Sequence, residues 1–338
     1  MTTVQINSLL SEGEFPGKTN KRELIETHIS WVILCDYFVY KIKKPVQYSF
    51  LDFSTLALRL HYCNREVELN KRLTHNVYLE VLPVRKWQDI LIIGGKEGTI
   101  IDYAVEMNRL DTKKQMDKLL AQRLVTESDI KNLAEKIASF HKNTTIIYEK
   151  NLSDIGEKFN DLEGEKEYIG EQLGSTFGVI ISNAIKFSDE FMNKNKELIA
   201  YRLREGFYRD CHGDLHSRNI FLLPEPVPFD CIEFNDDFRQ IDVLNEAAFL
   251  CMDLDAFGYQ DLSAMFLKYY NKFFPTMKTE SEHNLFIYYK SYRANIRAKV
   301  NALRAKSATT HEEKTKALAA AKKYLCLMES YLKDPGLV

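Results

Sequence analysis

The chain has 338 residues, 45% of them hydrophobic and 28% charged, with a formal charge of −2, which is enough apolar material for a large core divided between two lobes. A near-neutral balance provides no basic surface for nucleic acid, and the longest apolar runs fall far short of the ~18 residues of a membrane helix. Met1-Thr2-Thr3-Val4-Gln5 lacks the cationic and apolar regions of a secretory signal, so a cytoplasmic protein with no membrane partner is expected.

Trp31 to Cys35 and Tyr37 to Ile42 are apolar, β-branched and aromatic runs separated by Asp36, the pattern of a tight hairpin. Pro45 marks the end of the second run. Leu56 to Leu73 reads as a helix. Ile90 to Ile93 and Thr99 to Ile101 read as a hairpin around Gly94-Gly95-Lys96-Glu97-Gly98, after which Asp102-Tyr103-Ala104-Val105-Glu106-Met107 leads into a charged helix. Thr126-Glu127-Ser128-Asp129 forms a capping box ahead of Ile130, Leu133, Ala134, Ile137, Ala138 and Phe140, a core helix that ends at a structural His141. Roughly seventy residues then separate His141 from His212, too many for a plain loop, and imply an inserted helical subdomain at about 145–205. Ile220 to Leu223 reads as a buried strand, with a turn punctuated by Pro224, Pro226 and Pro228 before a short apolar stretch delivers Asp230. Six cysteines, at 35, 63, 211, 231, 251 and 326, contain no Cys-x-x-Cys pair and read as reduced core thiols.

The chemistry concentrates in Cys211-His212-Gly213-Asp214-Leu215-His216-Ser217-Arg218-Asn219 and in Phe229-Asp230-Cys231. A carboxylate, an amide and a second carboxylate in this order suit phosphoryl transfer. The first carboxylate orients the attacking hydroxyl and accepts its proton; the amide and the second carboxylate hold Mg²⁺ against the nucleotide phosphates. Magnesium takes hard oxygen ligands and keeps several waters, so two protein ligands suffice. Asp214 is the candidate base, Asn219 and Asp230 the candidate metal ligands, and His212 and His216 shape the loop.

His212 to Asn219, followed by Phe229-Asp230-Cys231 and Asp242, resembles the aminoglycoside phosphotransferase family, a branch of the protein-kinase-like fold. Glu26 to Trp31, Val39 to Val46 and Tyr292 to Val300 are similar to a bacterial subgroup of that family without an established substrate. The resemblance covers nearly the whole chain. It implies an α+β, two-lobed architecture, with a small β-rich nucleotide-binding lobe over 1–105 and a larger, mostly helical catalytic and acceptor-binding lobe over 106–338. It implies ATP as co-substrate with Mg²⁺, and a small-molecule hydroxyl acceptor. Lys41 is then the phosphate-gripping lysine, with Lys43 and Lys44 as rivals, and Glu66 its helical partner in preference to Glu68. Asp242 ties the backbone of the catalytic loop to the following helix, and Glu233 is an acid near the metal or an alternative ligand to it.

Residues 23–40 contain no glycine, so the lid over the phosphates falls to Thr27-His28-Ile29-Ser30, with hydroxyls and backbone amides in place of a glycine-rich turn. This leaves GTP open beside ATP. Backbone groups of Glu106 and Met107 are expected to meet the adenine edge. Asp242 follows Asp230 by only twelve positions, which leaves no room for a long peptide-binding activation segment. Two features pull the acceptor in opposite directions. The insertion carries Asp154, Glu157, Asp161, Glu163, Glu165, Glu167 and Glu171, suited to a cationic acceptor, while Lys290, Arg293, Arg297 and Arg304 share a helix face suited to an anionic one. A nucleotide-binding pseudokinase and a kinase acting on protein are the alternatives, and the oligomeric state is left open.

Overall fold

The computed structural model describes residues 1–17 and 19–337. In chain order its first elements are α1 (Thr3–Glu12), β1 (Glu23–Glu26), β2 (Ser30–Leu34), β3 (Phe38–Lys43), β4 (Gln47–Tyr48), β5 (Leu51–Asp52), α2 (Leu56–Lys71), β6 (Tyr78–Trp87), β7 (Ile90–Ile93) and β8 (Thr99–Asn108). Then come α3 (Met116–Ala121), α4 (Glu127–Asn143), α5 (Asp154–Asn160), α6 (Lys166–Leu173), α7 (Ser175–Lys194), α8 (Lys196–Arg204) and β9 (Tyr208–Asp210). The last are β10 (Ile220–Phe221), β11 (Val227–Pro228), β12 (Gln240–Asp242), α9 (Val243–Ala256), α10 (Gln260–Phe273), α11 (Glu280–Ser307) and α12 (His311–Leu332). No helix among the described residues is long and apolar enough to cross a membrane.

Two compact units form. One comprises Met1–Leu119 with Arg218–Arg239; the other comprises Leu120–Ser217 and the chain from Gln240 onward. The division expected between residues 105 and 106 falls inside β8, a strand with partners on both sides. In the first unit a six-stranded antiparallel sheet runs in the order β1-β2-β3-β8-β6-β7. The glycine loop at 94–98 therefore does not close a hairpin between β7 and β8. Gln88, at φ 52°, turns β6 tightly back into β7 instead, and β8 crosses over to lie between β3 and β6.

Strand alternation sorts β3 between two cores. Tyr40 and Ile42 pack with Ile6 and Leu9 of α1, whereas Val39 packs with Cys63 and Val67 of α2. Lys41 and Lys43 share the face of Val39. Helix α2 starts where the Thr55 hydroxyl accepts from Leu58 N at 3.2 Å, and its buried side holds Glu66 and Asn70 as well as Cys63 and Val67. The β10–β11 hairpin joins this unit through Val227 and Phe229, which pack against the α2 side.

In the second unit α11 packs against α12 and α9, and α10 against α4. The expected capping box at Thr126 and Asp129 is formed. The long connection after α4 holds the four helices α5 to α8, and α7 is fastened to α11 by stacking of Phe191 on Tyr288, with ring centroids 4.5 Å apart. Five of the six cysteines are buried; Cys326 on α12 is exposed, not a core thiol. Arg202 on α8 is fully buried and donates to Asp242 at 2.5 and 2.8 Å, to Glu282 at 2.9 Å and to the Thr276 carbonyl at 2.7 Å. Replacing Arg202 by Met strands two carboxylates without their cation, and we expect a loss of about 3–5 kcal/mol, read as a lowered thermal or urea midpoint.

Candidate active site

In the first unit Lys41 Nζ lies 2.7 Å from Glu66 Oε1 and 2.6 Å from Asp230 Oδ1. Lys43 Nζ lies 2.7 Å from Glu66 Oε2 and pairs with Glu233. One fully buried carboxylate thus serves two ammonium groups two residues apart on β3. Burial works against its ionisation, but Lys41 and Lys43 outweigh burial and hold Glu66 down at about 2. Glu233 is pushed up, chiefly by burial, with Lys43 opposing and the Glu66 charge adding to the rise. The remaining rivals turn elsewhere: Lys44 pairs with Glu26 at 2.5 Å, and Glu68 pairs with Arg65 on the exposed side of α2. Glu233 is held by Lys43, an assignment sequence spacing did not provide.

Asp230 sits at φ 64°, a region that a side-chain-bearing residue enters only when its surroundings compel it. Here Asp230 N donates to Tyr78 Oη at 3.1 Å and Cys231 N donates to Asn70 Oδ1 at 2.9 Å, so strand β6 and helix α2 fix the turn from both sides. Asn219 is next to this turn, since its carbonyl accepts from Phe229 N at 2.9 Å across the β10–β11 hairpin. An amide oxygen and a carboxylate with 43% of its side chain exposed are hard donors of the kind Mg²⁺ takes, and two ammonium groups against three carboxylates leave negative charge in excess. The donor set fits the metal.

In the second unit Asp214 N donates to His212 Nδ1 at 3.2 Å, and His216 Nε2 lies 3.3 Å from Asp214 Oδ2. Desolvation by the surrounding protein opposes ionisation of Asp214. His216, Arg297 and His212 together outweigh it and hold the carboxyl well below the usual range. The backbone of this loop is anchored by α9, though not through the residue expected. Asp242 caps α9 through Leu244 N and pairs with Arg202, while Glu246 accepts from His212 N at 2.9 Å and from Gly213 N at 2.5 Å. Asp242 lies at the first residue before the helix, where its oxygens meet the helix end; Glu246, one turn on, faces the loop. Gly213 at φ 89° aims both amides at that one carboxylate. Glu246 also meets His141 Nε2 at 2.8 Å, whose Nδ1 meets Tyr270 Oη at 2.7 Å, and Asp253 accepts from Ser217 N at 2.9 Å and from its hydroxyl at 2.5 Å.

The remaining candidates belong to the β1–β2 turn and to β8. Thr27 Oγ1 accepts from Ser30 N at 2.9 Å and donates to Ser30 O at 3.0 Å, closing the β1–β2 turn on itself; His28 is exposed there, and Ser30 is buried with no hydrogen bond from its hydroxyl. Glu106 and Met107 lie within β8 and are paired with both β3 and β6, so neither is at a free strand end. The Glu106 side chain accepts from Tyr40 Oη at 3.0 Å, and burial raises its carboxyl.

No protein-family model matches the chain. Among solved structures it is similar to a choline kinase from Cryptosporidium parvum, with TM-score 0.57 and 11% identity over 100% of this chain and 98% of that one. It is similar to a choline/ethanolamine kinase family protein from Mesorhizobium loti, with TM-score 0.55 and 11% identity over 99% and 96%. It is also similar to the GDP and kanamycin complex of APH(2")-IIia, with TM-score 0.53 and 9% identity over 96% and 99%. The chain has the protein-kinase-like fold of the choline kinases and aminoglycoside phosphotransferases. In sequence it is 31% identical over 312 residues, 91% of its length, to Uncharacterized protein Rv2004c of Mycobacterium tuberculosis and equally to Uncharacterized protein Mb2027c of Mycobacterium bovis; the match spans 59% of the length of those relatives.

Burial disfavours ionised Glu246, but His141, His212 and the loop amides hold it down at about 2, against an ordinary 4.5. Its folded value is depressed, so the stability it contributes, about 3 kcal/mol, is present above about pH 4.5 and is lost as pH falls toward 2. Glu246→Gln is therefore expected to melt well below the native chain at neutral pH, with the gap closing through that acid window.

Proposed function

We propose that the chain transfers the terminal phosphoryl group of a nucleoside triphosphate, ATP or GTP, to a hydroxyl of a small molecule. The observation that carries this reading is the contact of one lysine, Lys41, with both a helical glutamate and the Asp230 turn, at 2.7 and 2.6 Å. That trio is what a phosphate grip needs: a cation held rigidly by Glu66, with Asp230 beside it. Asn219 and Asp230 would hold Mg²⁺, which neutralises charge on the phosphate oxygens. Asp214, kept ionised at neutral pH, orients the acceptor hydroxyl and takes its proton as the hydroxyl oxygen bonds to phosphorus. The bond from phosphorus to the bridging oxygen breaks, and the nucleoside diphosphate leaves with that electron pair.

The neighbours support a small-molecule kinase of this kind, and GDP in APH(2")-IIia supports a guanine nucleotide alongside ATP. Only the residues from Cys231 to Ile241 connect the Asp230 turn to Asp242, and they hold a single helical turn at Asp236–Phe238 and the start of the short β12 strand, which favours a small acceptor over a peptide. A cytoplasmic setting belongs to the same proposal and is supported by six free cysteines.

The test is incubation with γ-labelled ATP or GTP and cell lysate, separated afterwards into small-molecule and protein fractions. Label is expected in the small molecules. Asp214→Ala should slow that transfer ~10²-fold to 10⁴-fold while calorimetry shows little change in nucleotide affinity. Label in protein, or nucleotide binding with no transfer, would refute the reading.

A further inference from the structure

We infer that the acceptor is an alcohol bearing a carboxylate or phosphate, and that Arg297, with Arg293 one turn before it, receives that anionic group beside Asp214. The inference rests on the phosphotransferase reading above and adds the substrate class. It comes from the way charges are paired in the second unit.

The acids of the helical insertion are mostly spoken for. Asp154 is 2.6 Å from Lys158, Asp161 is 2.8 Å from Lys299, Glu163 is 2.9 Å from Lys166 and Glu165 is 2.7 Å from Lys306. Paired carboxylates of this kind offer little to an incoming ammonium group. The lysines of α11 are spoken for as well, since Lys290 meets Asp255 at 2.5 Å and Lys299 and Lys306 take the insertion's acids.

The two arginines differ. Arg293 is buried, and its polar partners are neutral: Nε donates to Asn245 Oδ1 at 2.7 Å, one terminal nitrogen reaches the Gly213 carbonyl at 3.3 Å, and the guanidinium lies 4.7 Å from the Phe249 ring centroid. Arg297 has Tyr324 as its neighbour, 5.4 Å from guanidinium to ring centroid and in hydrogen-bond reach, and feels the charge of Asp253, but its buried Nε has no hydrogen-bond partner among the described residues. Among those residues neither arginine forms an ion pair with a carboxylate. A buried guanidinium N–H without an acceptor is unfavourable, and an anionic ligand removes that cost.

Position supports the same conclusion. Arg293 touches the residue immediately before Asp214, and the i, i+4 spacing puts Arg297 on the same stripe of α11. The Arg297 charge is close enough to act on the Asp214 carboxylate, alongside His216 and His212. Glu246 and Asp253 also stand on the loop, but their oxygens accept from its amides and from the Ser217 hydroxyl, so the guanidinium groups of Arg293 and Arg297 are what an acceptor's charge meets here; they repel choline-like or amino-sugar acceptors and attract a planar or tetrahedral oxyanion that a guanidinium fork can bind in two places. With the anion held at Arg297, a hydroxyl of the same molecule presents to Asp214 and gives up its proton there as its oxygen bonds to the transferred phosphorus.

The experiment uses the full chain, γ-labelled nucleotide with Mg²⁺, and a protein-free metabolite extract divided by ion exchange into anionic, neutral and cationic fractions. Transfer is expected from the anionic fraction. Arg297→Met should then require ~10-fold to 100-fold more of that fraction for half-maximal rate, with the maximal rate changed less than about threefold, and Arg297→Lys should fall between it and the native chain. Transfer from the cationic fraction, or half-saturation unaltered in a folded Arg297→Met protein, overturns the anionic assignment while leaving phosphotransfer intact. Transfer from no fraction overturns phosphotransfer itself.

Discussion

Glu66 has no exposed surface and no water to stabilise its charge, so the protein must supply that stabilisation. It does so from a single strand. Side chains two apart on β3 point the same way, and Lys41 and Lys43 reach the two oxygens of the one carboxylate from there. Each lysine then extends to a second acid, Lys41 to Asp230 and Lys43 to Glu233, and these acids lie three residues apart on the segment that follows β11. The strand, the helix and the Asp230 turn are therefore joined by one network of charges. Removing any member leaves the others buried and unbalanced, which is why this network, more than the sheet around it, sets where Asp230 can be.

The second unit solves a similar problem with helix α9. The loop that carries Asp214 has little regular structure, yet Glu246 takes two of its amides and Asp253 takes a third with the Ser217 hydroxyl. Acids on a buried helix thereby give a loop the precision of a rigid element. His141 and Tyr270 complete the chain of hydrogen bonds behind Glu246, so the histidine at the end of α4 acts through the loop backbone rather than on substrate.

How much of this could be read in advance depended on range. The β2–β3 hairpin, helix α2, the Thr126 capping box and the helical connection after His141 follow from local spacing, and the structure has them. The approach of Asn219 to the Asp230 turn was legible because a short hairpin fixes neighbours in sequence. Pairings over long separations were not. Lys43 belonging to Glu233, Glu246 replacing Asp242 as the anchor of the loop, and β8 joining β3 rather than β7 each depend on which elements meet in space. Lys43 did carry a signal: a lysine two positions from Lys41 on a strand must share its face. The contest between the acidic insertion and the basic helix was visible only as opposed charge, and the ion pairs themselves are needed to see which side remains unsatisfied.

The central claim is that the Asp230 carboxylate, steadied by Lys41, is where a divalent cation and a nucleotide come together. Calorimetric titration of nucleoside triphosphate with and without Mg²⁺, on the native chain and on Asp230→Asn, addresses it most directly. The account predicts that Mg²⁺ tightens binding by at least ~10-fold in the native chain and has little effect in the variant, which still binds metal-free nucleotide. Equal affinity with and without metal in the native chain, or a metal effect that survives in Asp230→Asn, would contradict it.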